Sequence, residues 1–123
     1  MTVHTRSQKL AQTAFPRIQA RKKNLGDSQF AEYKTFAKKF PALVHTCGLA
    51  QAVAFALAKK ENDYIDDLAL VLKESGHAEI TSSVELQSKT RTAQLNGYLR
   101  LSRDAINAAS WLKRYVEAFG EDD

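Results

Sequence analysis

Few side chains in this sequence have the type and spacing that metal binding requires. His45 and Cys47 are two residues apart, so on a helix they would point in different directions, and no second pair of ligands lies nearby. Asp63, Asp66 and Asp67 fall near the start of a predicted helix, where the helix dipole favours carboxylates, and no glycine-containing calcium loop surrounds them. Both groups therefore predict structural roles and no metal site.

Catalytic patterns are equally scarce. His4 falls in a predicted tail and His77 in a predicted loop, and neither has a Ser or Cys in a nucleophile context or a visible partner. The five glycines are scattered, so the sequence contains no glycine-rich loop that would hold the phosphate of a cofactor. We therefore expect no catalytic residue, no cofactor and no enzymatic activity.

Charge is the most informative property of the chain. The first 60 residues contain 11 Lys and Arg against 2 Asp and Glu, whereas the remaining 63 contain 7 against 12. The net charge of +4 thus hides a basic half and an acidic half. Such a separation is typical of a protein that presents one surface to a polyanion and another to a different partner.

The chain shows helical periodicity almost throughout, which predicts an all-α fold: one domain over residues 1–123, a compact bundle of about five to six helices, with frayed ends at about 1–4 and 120–123. We expect a kink at Pro16, and Pro41 should end or restart the second helix. Gly48 should break the chain, and Gly76 should stop a later helix. The predicted inward stripe of the last helix is Leu95, Tyr98, Leu99, Ser102, Ala105, Ile106, Ala109, Leu112 and Val116.

One segment is far more apolar than the rest. From Leu49 to Ala58 only Gln51 is polar, which predicts a helix buried on nearly all sides at the centre of the domain. Residues 40–60 superficially resemble a helix-turn-helix motif, but Gln51 alone could read base edges from its second helix. The sequence therefore argues against base-specific recognition and leaves contact with phosphate groups.

The basic residues of the first half fall on helical strips. Arg17 and Arg21 lie within about 60° of Arg6 on the flank of the first helix's apolar stripe. Lys34 and Lys38 are one turn apart on the outward face of the second helix, and few acidic residues balance them, although a solvated face is the alternative interpretation. The residues expected to contact nucleic-acid phosphates are Arg17, Arg21, Lys22, Lys23, Lys34, Lys38 and Lys39. Reversing Arg17 and Arg21 to Glu should weaken nucleic-acid binding with little loss of thermal stability.

A second patch lies on the last helix. Arg100, Trp111 and Arg114 fall on the same side of it, away from the predicted inward stripe. An exposed Trp between two arginines has the composition of a protein–protein hot spot or a base-stacking platform. The other interpretation is that the helix packs on two sides and that Trp111 is simply buried. We take these three residues as the candidate subunit interface.

Location follows from two simple features. The single Cys47 cannot form an internal disulfide, and no apolar stretch is long enough to span a bilayer. We therefore expect a reduced, cytoplasmic protein that makes no contact with a membrane.

Several segments together resemble a known family. They occur in the order Arg6 to Gln12, Phe40 to Val44, Gly48-Leu49, Ala54 to Leu57, Tyr98 to Ala105 and Trp111 to Tyr115. In order and spacing they are similar to the small all-helical subunit of the type III-B CRISPR effector, the Cmr complex, over about residues 6–119. Pro16 and residues 62–83 depart from that resemblance.

The resemblance implies a helical bundle without catalytic activity, stacked in several copies inside an RNA-guided ribonucleoprotein. Its partners would be the backbones of the guide RNA and the target RNA, the other subunits of the effector complex and copies of itself. The charge division agrees with head-to-tail stacking, because a basic end can join an acidic one. The alternative is a helical protein–protein adaptor without direct nucleic-acid contact, whose basic half is only a solvated face.

Overall fold

Six helices and no strand make up the part of the chain that the computed structural model describes, residues 5–119. The predicted all-α class and the number of helices are confirmed, whereas the predicted frayed ends lie outside the described residues. None of the described helices is both long and apolar enough to cross a membrane. The helices are α1 (Arg6–Asn24), α2 (Asp27–Cys47), α3 (Leu49–Ala58), α4 (Asn62–Glu74), α5 (Ser83–Thr92) and α6 (Leu95–Phe119).

Proline does not interrupt the two helices that contain it. Pro16 lies inside α1 and Pro41 inside α2, so the prediction that Pro41 ends or restarts its helix is wrong. An internal proline costs a helix about 3 kcal/mol, because one hydrogen bond is lost and the ring crowds the preceding turn. Phe40 and Val44 are buried on either side of Pro41, and their burial offsets that cost at roughly 1.5 to 3 kcal/mol for each side chain.

Gly48 separates α2 from α3, as predicted. Its φ of 85° lies in the region that favours glycine, its N–H donates to the carbonyl of Val44 at 2.8 Å, and its own carbonyl accepts from Ala52 at 3.0 Å. The Tyr98 hydroxyl accepts a hydrogen bond from the N–H of Ala50 at 3.0 Å, which satisfies a free donor at the start of α3. One glycine thus ends one helix and starts the next.

The centre of the bundle is α4 rather than α3. Seven residues of α4 are buried, among them Tyr64 and Leu68 with no exposed surface. The prediction that α3 is buried on nearly all sides is wrong, because Phe55 remains 38% exposed and Ala54 and Ala58 also face solvent. A sequence that is apolar around the whole helix therefore leaves an apolar surface on the molecule.

The buried face of α6 differs from the predicted stripe in its first turns. Ala105, Ala109, Leu112 and Val116 are buried as predicted. Leu95 and Leu99, however, are 70% and 56% exposed. Their expected places in the core are taken instead by Leu101, Asp104 and Ala108. The charged Asp104 can lie there because other residues compensate its charge.

Candidate nucleic-acid interface

A fully buried carboxylate, Asp67 of α4, gathers the arginines of α1. Arg17 donates from Nε to Oδ1 at 2.8 Å, and Arg21 donates from Nε to Oδ2 at 2.9 Å and from Nη2 to Oδ1 at 3.1 Å. The Tyr33 hydroxyl of α2 donates to Oδ2 at 2.5 Å. Asp63 lies one turn earlier, with its carboxylate 3.6 Å from Arg21 Nη1. This arrangement, the Asp67 cluster, joins three helices.

The Asp67 cluster changes the ionisation of its members. The hydrogen bond and the negative charge from Asp67 raise the pKa of Arg21 above its ordinary value, although partial burial opposes them. Burial raises the pKa of Tyr33 well above its usual value, and the charge of Asp67 and the hydrogen bond to it raise it further. Both groups therefore keep their protons throughout the physiological range.

The arginines expected to contact RNA thus have an internal role. The Arg21 side chain is only 19% exposed, whereas that of Arg17 is 34% exposed. Reversing both charges would leave a carboxylate with no solvent exposure facing two further carboxylates, so we now expect a large loss of thermal stability and not a small one. Their role in binding RNA stays a prediction, and it fits Arg17 better, because its terminal amino groups form no hydrogen bond with residues 5–119.

The aspartates of α4 do more than favour the helix dipole. Asp66 Oδ1 accepts a hydrogen bond from the N–H of Ser83 at 2.7 Å, so it caps the first turn of α5. Asp67 compensates two arginines, and only Asp63 stands in the first turn of α4. The prediction that these aspartates favour the dipole at the start of the helix therefore fits Asp63 but not Asp66 or Asp67.

The expected lysines are placed differently from the arginines. Lys22, Lys23, Lys38 and Lys39 are exposed, and none of them forms an ion pair with any residue between 5 and 119. Lys22 Nζ lies 5.3 Å from the centroid of the Phe30 ring, and Lys39 Nζ lies 5.6 Å from that of Phe36. Lys34 is half-buried on the same helix as Lys38. The four exposed lysines therefore place positive charge in solvent at the end of α1 and on α2.

Trp111 is both packed and accessible. It is half-buried against the core and stacks on Tyr115 with the ring centroids 5.7 Å apart. Tyr115 meets Phe15 of α1 edge to face at 5.3 Å, and Phe15 is 40% exposed. Phe119 completes this aromatic cluster at 5.6 Å from Phe15. The two interpretations of Trp111, core and surface, therefore each hold in part.

The structure spreads the three candidate interface residues along α6. Arg114 is exposed within one turn of Trp111. Arg100 lies eleven positions before Trp111, about 16 Å along the axis, and lines a cavity of about 300 Å³ together with His77 and Lys89. Trp111 and Arg114 can therefore belong to one contact patch, whereas Arg100 belongs to a different part of the surface.

The sequence pattern does not predict a second buried carboxylate, that of Asp104. Asp104 accepts from Arg6 Nη1 at 3.2 Å, and its Oδ2 lies 2.8 Å from His77 Nε2. The partner that the sequence does not show for His77 therefore comes from α6. No local signal indicates it, because Arg6 and Asp104 are 98 positions apart. The contact fixes the loop after α4 to the last helix.

Metal-ligating side chains do not converge in the part of the chain that is described. No group of three or more His, Cys, Asp or Glu between residues 5 and 119 is arranged to hold a metal ion. Cys47 is a free thiol that donates to the carbonyl of Leu43 at 3.2 Å, and His45 is exposed. His4 lies outside the described residues.

Fold and surface together define a small all-α protein with arginine-bound buried carboxylates and exposed lysines on α1 and α2. The chain belongs to the Cmr5 family: residues 6–119 match the family described as CRISPR-associated protein (Cas_Cmr5). A relative from Thermus thermophilus, the CRISPR system Cmr subunit Cmr5, is 37% identical over 98% of this chain and 100% of its own length. The crystal structure of a CRISPR-associated Cmr5 family protein from the same organism superposes with a TM-score of 0.80 at 38% identity, covering 94% of this chain and 97% of that one. The resemblance noted in the sequence is confirmed.

Proposed function

We propose that this chain is a non-catalytic, cytoplasmic subunit of a CRISPR Cmr effector ribonucleoprotein that contacts the backbones of the guide and target RNA. It would pack there against other subunits and against copies of itself. Membership of the Cmr5 family supports the assignment to the complex, since the Thermus relative is named as a Cmr subunit. The RNA contact depends on an observation of its own.

That observation is the set of exposed lysines that form no ion pair with the described residues. Lys22, Lys23 and Lys38 are exposed without an ion pair to residues 5–119, whereas a surface made only for solubility mixes charges of both signs. Lys39 is exposed too, but it lines a cavity that also contains Glu32 and Glu61. Phosphate contacts by lysines position a protein on a nucleic acid without reading its sequence. A complex in which base pairing reads the sequence needs this kind of contact. Lys34 and Arg17 extend the proposed surface. Arg21 is mostly buried and contributes through its ion pair with Asp67.

Charge reversal tests the lysine surface directly. The double variant Lys23→Glu with Lys38→Glu should lower the affinity for single-stranded RNA by at least about tenfold at low salt, because two phosphate contacts become repulsive. Fluorescence anisotropy at several salt concentrations would measure the affinity and its salt dependence, and target capture by the reconstituted complex would provide a second readout. Arg91→Glu on α5 is the matched control, an exposed charge reversal outside this surface. Unchanged RNA affinity in the double variant would contradict the proposal.

The adaptor alternative draws support from the Asp67 cluster. Arg17 and Arg21 bind the acidic half of the same chain, so part of the basic charge already has a structural purpose. An adaptor would show no detectable RNA binding even at low salt, whereas phosphate contact gives an affinity that falls steeply as salt rises. The same titration with the unmodified chain therefore separates the two functions.

A further inference from the structure

An open cavity of about 470 Å³ lies between α2 and the corner that joins α3 to α4. Lys39 and Lys59 supply positive charge to its lining, Glu32 and Glu61 supply negative charge, and Phe36 supplies an apolar wall. Its volume is within the range of sites that bind small ligands, roughly 300 to 1,000 Å³. We refer to it as the α2–α3 cavity. Its opposite charges suit a ligand that has both an anionic group and hydrogen-bond donors.

An exposed aromatic ring stands beside this cavity. Phe55 of α3 lies nearly parallel to Phe36, with an angle of 19° between the planes and 6.5 Å between the centroids. The ammonium groups of Lys39 and Lys59 lie 5.8 Å and 5.6 Å from the centroid of Phe55. A flat ring accompanied by ammonium groups is the arrangement that binds single-stranded nucleic acid, in which a base stacks and a phosphate is neutralised.

The two carboxylates of the cavity have no partner among the described residues. Neither Glu32 nor Glu61 forms an ion pair or a side-chain hydrogen bond with any residue of that part of the chain. Burial and the nearby charge of Glu32 raise the pKa of Glu61, although Lys39 opposes them. Carboxylates that line one cavity and repel each other are stabilised by a ligand that donates hydrogen bonds to them.

We infer that the α2–α3 cavity binds one unpaired guanine nucleotide of a single RNA strand. The base would displace the Lys59 ammonium group from the face of Phe55 and stack there, and its phosphate would contact Lys39 and Lys59. Its N1–H and amino group would donate to the carboxylate of Glu61. Uracil presents two carbonyl acceptors around a single N–H, so carboxylates disfavour it. This inference rests on the proposed function, because it gives one nucleotide of the bound RNA a separate site.

Two labelled oligonucleotides test the cavity with the full chain. One is a nonamer of uridine, and the other has a single guanosine at its centre. The chain should bind the second about tenfold more tightly, since a good bidentate contact with a base discriminates by roughly 5- to 150-fold. Phe55→Ala and Glu61→Gln should each bring the ratio of the two affinities close to one. Phe55→Tyr should retain the preference, and so should Val84→Ala, which shortens an exposed apolar side chain elsewhere.

The outcomes separate this inference from the proposed function. Equal affinity for the two oligonucleotides, with a steep salt dependence, would overturn the guanine site and leave the lysine surface in place. A guanine preference together with affinities that do not fall as salt rises would support recognition of the base by Phe55 and Glu61 and overturn the phosphate contacts. Absence of binding at low salt would overturn both. A preference that survives in both Phe55→Ala and Glu61→Gln would also overturn the site.

Discussion

Buried carboxylates in proteins require compensation of their charge, and Asp67 receives it from three residues. Two arginines and one tyrosine direct four hydrogen bonds to its oxygens, all within 3.1 Å. Removing one partner of such an arrangement is more harmful than replacing all of it, because the remaining charge loses compensation while it stays buried.

Arg21→Gln should therefore destabilise the fold. We expect the free energy of unfolding to fall by about 2 to 3 kcal/mol, less than for a buried pair that is fully broken, because Arg17 still binds Asp67. Arg103→Gln is the matched control: Arg103 lies 3.9 Å from Asp104 with a side chain that is 67% exposed, so its loss should change stability by less than about 0.5 kcal/mol. Urea denaturation would measure both. Equal effects in the two variants would show that the Asp67 cluster contributes no more than a surface ion pair.

Two buried tyrosines provide a second comparison at the scale of one atom. The Tyr33 hydroxyl binds Asp67, whereas the Tyr64 hydroxyl is buried with no hydrogen-bond partner among the described residues. Tyr33→Phe should cost about 1.5 to 3 kcal/mol, the usual range for a hydrogen bond to a charged group. Tyr64→Phe should be neutral or stabilise the fold by up to about 1 kcal/mol, since it removes an unsatisfied polar group. Thermal denaturation in parallel would show the opposite signs.

The same tyrosines predict how stability changes in alkaline solution. Burial is the main cause that raises the pKa of both Tyr33 and Tyr64 above the ordinary value of 10.0. Below about pH 10 both states hold the protons, so stability is unaffected. Above it the unfolded chain loses protons that the folded chain retains, and stability falls as pH rises. Unfolding measured from pH 8 to 11 should show this slope, and Tyr64→Phe should make it shallower. A slope that is unchanged by that substitution would contradict this interpretation.

At the scale of elements, the corner between α3 and α4 has a residue in an unfavourable conformation. Lys60 has a φ of 62°, and the two hydrogen bonds of the turn run from Lys60 to the carbonyl of Leu57 at 3.0 Å and from Glu61 to that of Ala56 at 2.9 Å. This pattern closes many helices, and glycine usually holds the position of Lys60. The corner therefore carries a small strain beside the α2–α3 cavity.

Lys60→Gly should relieve that strain. We expect the free energy of unfolding to rise by about 0.5 to 1 kcal/mol, because glycine adopts a positive φ without a steric penalty. Lys59→Gly is the control: Lys59 has a φ of −88°, where glycine has no such advantage, so this variant should lose stability. Denaturation in urea would compare them. A loss of stability in both variants would mean that the Lys60 side chain makes a larger contribution than its backbone conformation costs.

The elements that sequence predicts well are those with local signals. Gly48 stops α2 because a positive φ is required at that residue. The helical periodicity of apolar residues correctly predicts that Ala105, Ala109, Leu112 and Val116 are buried. The prediction at Pro41 is wrong because the free-energy cost of a proline inside a helix is smaller than the stabilisation from the buried side chains around it. Asp67 was not recognised as buried, since its partners Arg17 and Arg21 lie 50 and 46 positions away. Partners of that kind are decided by the fold, so no window of sequence shows them.

On the scale of the whole molecule, the two charged halves turn out to be bound to each other. Arg6, Arg17 and Arg21 of the basic half form ion pairs with aspartates of the acidic half. Arginine suits that purpose, because its planar group binds a carboxylate through two hydrogen bonds at once. Lysine is a compact, strongly hydrated charge, and every lysine of the basic half except the half-buried Lys34 is exposed. The charge division thus serves the fold through arginine, and the proposed RNA contact depends mainly on the exposed lysines.

Trp111 provides the last test, since it distinguishes a subunit contact from core packing. The ring is half-buried, so Trp111→Ala should cost about 1 to 2 kcal/mol and leave a folded chain, while incorporation into the complex should fall at least about tenfold. Circular dichroism would check folding, and reconstitution with the other subunits would measure incorporation. Leu99→Ala, an exposed apolar truncation on the same helix, should change neither. If Trp111→Ala unfolds the chain at the assay temperature, the ring acts mainly in the core; if the folded variant is incorporated normally, the aromatic cluster is not a subunit interface.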